Sequence, residues 1–229
     1  MKKYEFLLLD ADNTLLDFDE NERVSIRATL RHFGVEPTDE IVAVYSGINR
    51  KYWRMYDLGE LTQAQVLTMR FDELFSLLGR SCDAQEVEDF YRVQLGLGHQ
   101  VIPGAVELCA RLWESYRLIM VTNGVADTQY QRLAASGLDK YFERIFISEE
   151  TGFHKPEKGY FDYVFSHVPG FDPARAIIIG DSLSSDIKGG INAGIDTCHY
   201  DRHNTGSGEL RPTVTVHSFE ELERFLEQA

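Results

Sequence analysis

The first unbroken apolar run of the chain, Phe6-Leu7-Leu8-Leu9, stops abruptly at Asp10-Ala11-Asp12-Asn13-Thr14. Apolar residues without polar alternation mark a strand covered on both faces, the situation inside a parallel sheet. The same signature returns at Leu118-Ile119-Met120-Val121, closed by Thr122-Asn123-Gly124, and at Ala176-Ile177-Ile178-Ile179-Gly180, closed by Asp181-Ser182. From Pro103 onward helical and strand periods alternate. The pattern predicts helix 104–115, strand 117–122, helix 126–136, strand 144–148, helix 157–167 and strand 175–180. Helix 184–193, strand 195–200, a short strand near 213–216 and helix 218–227 follow. Such alternation specifies right-handed βαβ units and a parallel sheet.

Residues 20–97 break the alternation. They read as four successive amphipathic helices, the later three opening at the capping residues Thr38, Thr62 and Asp83. The fold class is therefore α/β: a doubly wound, Rossmann-like parallel sheet core built from residues 1–16 and 100–229, with an all-helical domain, residues 17–99, inserted after the first strand. The Gly-, Ser- and Asn-rich loop 201–211 is expected to be mobile.

Composition narrows the partners. The 229 residues are 43% hydrophobic, ample for a core, and carry a formal net charge of −14. A chain this acidic has no net basic footprint for a nucleic acid polymer or an anionic membrane. Cys82, Cys109 and Cys198 are too widely spaced for a disulfide framework or a zinc site, and suit a reducing, cytoplasmic location. Lys2-Lys3 before an apolar run imitates a leader peptide, but Asp10 and Asp12 end the run too early for one.

In open α/β sheets ligands bind at the carboxyl ends of the strands. Asp10 and Asp12, Thr122 and Asn123, Lys155, and finally Asp181 and Asp186 all stand at such ends or in the loops beside them. A carboxylate can attack phosphorus and form an acyl phosphate that water later cleaves. Its approach to a phosphoryl anion requires positive charge, which Mg²⁺ on Asp10 and Asp181 could supply, with Lys155 as a second cationic point and Thr122 as a hydroxyl donor. Asp12 could protonate the departing oxygen and then deprotonate water. Receiver domains of two-component signalling also gather aspartates, a hydroxyl and a lysine. The acidic strand end after Lys155 and the long insertion after the first strand suit a receiver poorly. A binding protein that keeps the fold without the chemistry is the non-enzyme alternative.

The four clusters DADNTL, VTNG, HKPE and GDSLSSD resemble, in order, the motifs of the haloacid dehalogenase superfamily, and the helical insertion resembles that family's type 1 cap. The resemblance implies Asp10 as nucleophile and Asp12 as general acid and base. It implies Thr122, Asn123 and Lys155 as phosphate-binding residues. Asp10, Asp12 and Asp181 would form the Mg²⁺ set, with Asp186 supporting it from behind. True dehalogenases of the superfamily typically lack the second acid, so Asp12 favours phosphate chemistry. Asn13 replaces the glycine of the commonest first motif. The stretches ISEETGFHKPEKGYF and IIIGDSLSSDIKGGINAGIDTCHY resemble the branch of bacterial pyrimidine 5′-nucleotidases, beside sugar phosphatases, phosphoglycolate phosphatase and phosphomutases. The expected partner is a small phosphorylated metabolite, a nucleoside monophosphate, acted on by a monomer or small homo-oligomer. In the insertion, Tyr45, Ile48, Tyr52 and Tyr56 have helical spacing and are expected to pack. Asn49 and Trp53 fall off that stripe, which makes them candidates for substrate contact, and Phe18 sits at the junction of core and insertion.

Overall fold

The computed structural model describes residues 3–206 and 208–229. Lys2 of the lysine pair and Ser207 of the 201–211 loop lie outside the described residues. The chain forms two compact units: one is made of the chain up to Asp17 together with Val101–Ala229, the other of Phe18–Gln100.

The first unit opens with β1 (Phe6–Leu9). The second unit follows as α1 (Phe18–His32), α2 (Asp39–Asp57), α3 (Gln63–Leu77) and α4 (Ala84–Leu97). The first unit then resumes with α5 (Ala105–Leu112), β2 (Arg117–Thr122), α6 (Ala126–Ser136), β3 (Arg144–Ile147), the short α7 (Ser148–Thr151), α8 (Lys158–His167) and β4 (Ala176–Gly180). A π-helical turn, Leu183–Ile187, leads into α9 (Lys188–Ala193), and β5 (Asp196–Tyr200), β6 (Val214–Val216) and α10 (Phe219–Gln228) complete the chain. Departure and return of the chain around the insertion are stitched together, because the Ile102 N–H donates to the Leu15 carbonyl at 2.9 Å and Leu16 bridges Val101.

The six strands form one parallel sheet in the order β3-β2-β1-β4-β5-β6. The winding direction reverses between β1 and β4, the switch point at which such sheets open a crevice. Strand period divides the apolar runs between two cores. Leu7, Leu9, Leu118, Met120, Ile177 and Ile179 face a layer that includes α5 and α10. Phe6, Leu8, Ile119, Val121 and Ile178 face Tyr160, Phe161 and Val164 of α8. This two-sided cover explains why the runs lack polar alternation. On the second face α9 lies so close that a Cβ at Gly190 would stand 2.5 Å from methyls of Ile178 and Thr197. Close approach thus outweighs the helix cost of glycine, about 1 kcal/mol.

The predicted helix 184–193 is split by the π turn. Ser182 Oγ accepts from the Ser185 N–H at 3.2 Å and the Ser182 N–H donates to Asp186 Oδ2 at 3.1 Å, so local side-chain bonds compete with the regular helical ladder. The short α7 and the 3₁₀ turns Asp139–Tyr141 and Pro173–Arg175 had no clear signature in the pattern.

In the helical unit Thr38, Thr62 and Asp83 cap α2, α3 and α4, Thr62 through a capping box with Gln65. Tyr45, Ile48, Tyr52 and Tyr56 are buried in its core. Trp53 packs on that core and meets Tyr56 edge-on, with ring centroids 5.6 Å apart. Asn49 corrects the expectation of a substrate contact. Its amide is buried within the unit, donating to Glu22 at 2.5 Å and accepting from Arg70 at 2.7 Å. Arg70 in turn pairs with buried Glu88 at 2.6 Å. Both polar ends of the carboxamide are thus engaged by charged side chains inside the unit, and the residue is only 2% exposed.

Ile178 tests the packing of the first unit, since it is fully buried at the centre of the sheet. Ile178→Ala is expected to lower stability by about 2–5 kcal/mol, the range for truncating a buried aliphatic side chain. The loss would appear as a lower urea midpoint at unchanged slope. A loss below about 1 kcal/mol would contradict close packing of α9 against β4.

Candidate active site

Register brings the sequence clusters together. Leu9 of β1 pairs with Met120 of β2 and Ile179 of β4, so all three strands finish at the same edge. The Asp10 N–H continues the ladder to the Ile179 carbonyl at 3.0 Å. Beyond Asp12 the chain turns at Asn13, whose φ is +57°. Asparagine is among the few non-glycine residues that tolerate this left-handed conformation, so it can stand where the commonest first motif has glycine.

Lys155 is the centre of the site. Its side chain is 1% exposed and its ammonium donates to Asp10 Oδ1 at 2.6 Å, Asp186 Oδ1 at 2.6 Å and the Val121 carbonyl at 2.8 Å. All three ammonium protons are thereby used. Asn123 fixes the lysine backbone, accepting from the Lys155 N–H at 2.9 Å and donating to the Lys155 carbonyl at 2.8 Å. Asp186 presses against the end of β4: a Cβ at Gly180 would lie 2.2 Å from its Oδ2, so glycine is required there. Thr14 links the first and fourth clusters, donating to Asp10 Oδ2 at 3.3 Å and accepting from the Asp181 N–H at 3.1 Å. His199 Nε2 lies 3.1 Å from the Asp181 carbonyl oxygen.

Carboxylate oxygens of Asp10, Asp181 and Asp186 lie within 4.8 Å of one another. An oxygen-only donor set of this kind fits a hard divalent cation. Burial pushes the Asp10 carboxyl up to about 7, with Asp186 and Asp12 adding to the rise and Lys155 opposing it. Burial, reinforced by Asp10 and Asp186, likewise holds Asp181 well above the usual carboxylate range. For Lys155 burial works downward, but Asp10 and Asp186 outweigh it and hold the ammonium well above its ordinary value. With one cationic side chain among three acids, the cluster lacks positive charge.

Asp12 stands apart from this group. Its Oδ1 accepts from Arg132 Nη1 at 2.5 Å and its Oδ2 from Gln129 Nε2 at 3.0 Å. The same Gln129 nitrogen donates to Thr122 Oγ1 at 2.8 Å, and Gln129 Oε1 accepts from Arg132 at 3.0 Å. The reading from sequence put Asp12 in the metal set and Asp186 behind it. The structure groups the Asp186 carboxylate with Asp10 and Asp181, and turns that of Asp12 toward α6. Gln129 and Arg132 were missed. The available signal was their position on α6: with Val125 and Leu133 they follow the i, i+4, i+7, i+8 spacing of a core-facing stripe, where a glutamine and an arginine are out of place.

A family model for haloacid dehalogenase-like hydrolases matches residues 4–194. The chain belongs to that family. It is 42% identical over 227 residues to the HAD-hydrolase YfnB of Bacillus subtilis (strain 168), covering 99% of this chain and 97% of the relative. It is 36% identical over 221 residues to the pyrimidine 5′-nucleotidase PynA of Streptococcus pneumoniae (strain ATCC BAA-255 / R6), covering 96% and 93%. The pyrimidine 5′-nucleotidase YjjG of Escherichia coli (strain K12) is 32% identical over 225 residues, covering 98% of each chain. A magnesium-bound crystal structure of B. subtilis YfnB superposes with a TM-score of 0.94, covering 98% of this chain and 99% of that one. No helix among the described residues is long and apolar enough to cross a membrane.

The raised Asp10 value has a consequence for stability. In the unfolded chain an aspartate titrates near 3.9, roughly the reference value. The folded protein without metal therefore holds the Asp10 proton more tightly, and its stabilising effect is fully present below pH about 4 and is lost as pH rises through about 7. Urea midpoints of the wild type and Asp10→Asn, compared in chelator from pH 4 to 8, should diverge in favour of the variant as pH rises. A difference that stays flat across the window would refute the raised value.

Proposed function

We propose that the chain is a Mg²⁺-dependent phosphomonoesterase that works through an aspartyl phosphate and acts on pyrimidine nucleoside 5′-monophosphates. The observation that carries the chemistry is the buried Asp10–Lys155–Asp186 cluster at the switch point, with Asp12 beside it on a separate set of donors. The magnesium-bound YfnB structure supports the metal, and the names of PynA and YjjG support the substrate class. The free cysteines, two of them buried, fit a cytoplasmic setting.

Asp10, Asp181 and Asp186 are the side chains that would hold Mg²⁺, whose charge would offset the repulsion between these acids and a phosphoryl anion. Any share Asp12 takes in that site falls to its main-chain carbonyl, since its carboxylate is engaged by Arg132 and Gln129. The Asp10 carboxylate attacks phosphorus; the bond from phosphorus to the nucleoside 5′ oxygen breaks, and its electron pair leaves on that oxygen. Asp12 delivers the proton that this oxygen takes up. Water then gives a proton to Asp12 and attacks the acyl phosphate at phosphorus, which releases inorganic phosphate and restores Asp10. Lys155 stabilises the phosphoryl charge and orients Asp10. Thr122 offers a hydroxyl to the phosphate. Asn123 does its part through Lys155, whose backbone it clamps on both sides.

Asp10→Asn should abolish turnover, because an amide cannot form the acyl phosphate; a kcat near that of the wild type would refute the covalent route. Chelator should likewise abolish activity and added Mg²⁺ restore it, while full activity in excess EDTA would end the metal-dependent reading.

Substrate class is tested by kcat/KM across dUMP, dTMP, UMP, phosphoglycolate and hexose phosphates. The pyrimidine nucleotides should lead. If phosphoglycolate or a hexose phosphate beats each of them about tenfold, or roughly 1.4 kcal/mol of transition-state preference, the nucleotidase assignment fails and the phosphatase assignment stands.

A further inference from the structure

Arg132 is one of the largest fully buried side chains of the protein, and its side chain is 1% exposed. Taking a guanidinium out of water costs several kcal/mol unless it is paired and hydrogen-bonded. Here the pairing is with the carboxylate of Asp12, whose own side chain is 28% exposed. A buried cation thus reaches outward to a carboxylate at the open end of the sheet. For cohesion alone, an apolar side chain at this core-facing position of α6 would serve as well.

The surroundings point to orientation. The two Asp12 oxygens are held by different residues of one helix, Oδ1 by Arg132 at 2.5 Å and Oδ2 by Gln129 at 3.0 Å. Two donors on opposite oxygens fix the rotation of the carboxylate plane, which a single bond leaves free. Gln129 is itself fixed three times over. It accepts from Arg132, it donates to Thr122 Oγ1, and it fills the space left by the missing side chain of Gly124, where a Cβ would lie 2.7 Å from its Cγ, Cδ and Nε2. The VTNG turn is therefore shaped around the glutamine. The helix carrying both residues begins directly after that turn, so the phosphate-binding loop and the acid are indexed to one rigid element.

We infer that Arg132 and Gln129 are positioning residues that hold the Asp12 carboxyl in line with the leaving-group oxygen, coupling the proton-transfer residue to the phosphate-binding turn at Thr122. The inference rests on the phosphatase reading and on Asp12 as its acid and base. A displacement of the order of 1 Å at a reacting group can cost roughly 10²-fold in rate. Loosening the clamp should therefore be felt where proton delivery matters, in expelling a poor leaving group such as a nucleoside alkoxide. It should be felt little where the leaving group needs no proton, as with 4-nitrophenolate.

The test uses Arg132→Met, Arg132→Lys and Gln129→Met, alone and combined with Asp12→Asn, in the full-length protein with Mg²⁺. The readout is kcat/KM for dUMP and for 4-nitrophenyl phosphate. This quantity reports steps through the first phosphoryl transfer and is blind to later hydrolysis of the acyl phosphate, which is common to both substrates. On dUMP each single variant should lose about 10- to 100-fold, within the range set by general acid–base catalysis, with Arg132→Lys the mildest; on 4-nitrophenyl phosphate the loss should stay within about threefold. In the Asp12→Asn background the same substitutions should cost almost nothing further, since the group they position is gone. Gln129→Met removes no charge and keeps the length of the side chain, so it carries the test if Arg132→Met fails to fold. Equal losses on both substrates, or losses additive with Asp12→Asn, would overturn the inference and leave the phosphatase standing. Absence of turnover in the wild type, or an Asp12→Asn enzyme as fast as the wild type on dUMP, would overturn the underlying reading instead.

Discussion

The site depends on one buried ammonium. The Nζ of Lys155 bridges Asp10 and Asp186 at 2.6 Å each, and without it three mutually close acids would face one another at the end of the sheet. Burying such a charge is costly unless geometry and hydrogen bonding are complete, and the fold completes both. Val121 contributes a carbonyl, Asn123 holds the lysine backbone at both polar atoms, and Gly180 leaves the volume that Asp186 occupies. The compensation is partial by charge count. In the absence of metal the imbalance shows in the upward shifts of Asp10 and Asp181. A divalent cation held by these acids would relieve the same imbalance while leaving Asp10 ionised, so the proposed cation requirement and the raised acid values would share one electrostatic origin.

The parts of this arrangement that were legible in the sequence are those set by local chemistry and strand period. Unbroken apolar runs located β1, β2 and β4 because both faces of the sheet are covered. Helix 126–136 coincides with α6 to the residue, and Thr38, Thr62 and Asp83 cap as their side-chain chemistry directs. What escaped detection depends on tertiary partners. The π turn after β4 arises where Ser182 and Asp186 bond the backbone, and nothing in residues 184–193 alone distinguishes that turn from ordinary helix. Asn49 lies off the aromatic stripe of α2, a position that suggests exposure. Glu22 and Arg70, far along the chain, draw it inward. Gln129 and Arg132 look like interruptions of an amphipathic stripe until Asp12, more than a hundred residues earlier, supplies their reason.

Asp10 and Asp12, separated by the single residue Ala11, show how one turn gives two aspartates different surroundings. Asp10 remains in the sheet through its bond to Ile179, and is left among acids and one lysine in a desolvated setting. Asp12 leaves the ladder, and the left-handed Asn13 carries the chain away behind it. Its carboxylate meets a guanidinium and a carboxamide from the first turns of α6. Identical side chains thus reach opposite surroundings, one enclosed with the candidate cation site and the other at the edge of the open site. A covalent phosphatase needs that division, because its nucleophile must stay close to positive charge while its proton carrier must reach solvent water in the second half-reaction.

Fold alone does not assign the chemistry, since a doubly wound sheet with a helical insertion accommodates more than one reaction on the same aspartate nucleophile. The discrimination lies in the second acid and in what supports it. A stray carboxylate at position 12 would carry no structural commitment elsewhere in the chain. Here a helix that ought to present an apolar stripe to the core gives up two of its positions, Gln129 and Arg132, to hold that carboxylate, and Gly124 gives up a side chain to admit the glutamine. Three concessions on a different strand–helix unit all converge on Asp12; they suit the proposed proton transfer at this position, whereas displacement of a halide would make no demand for them.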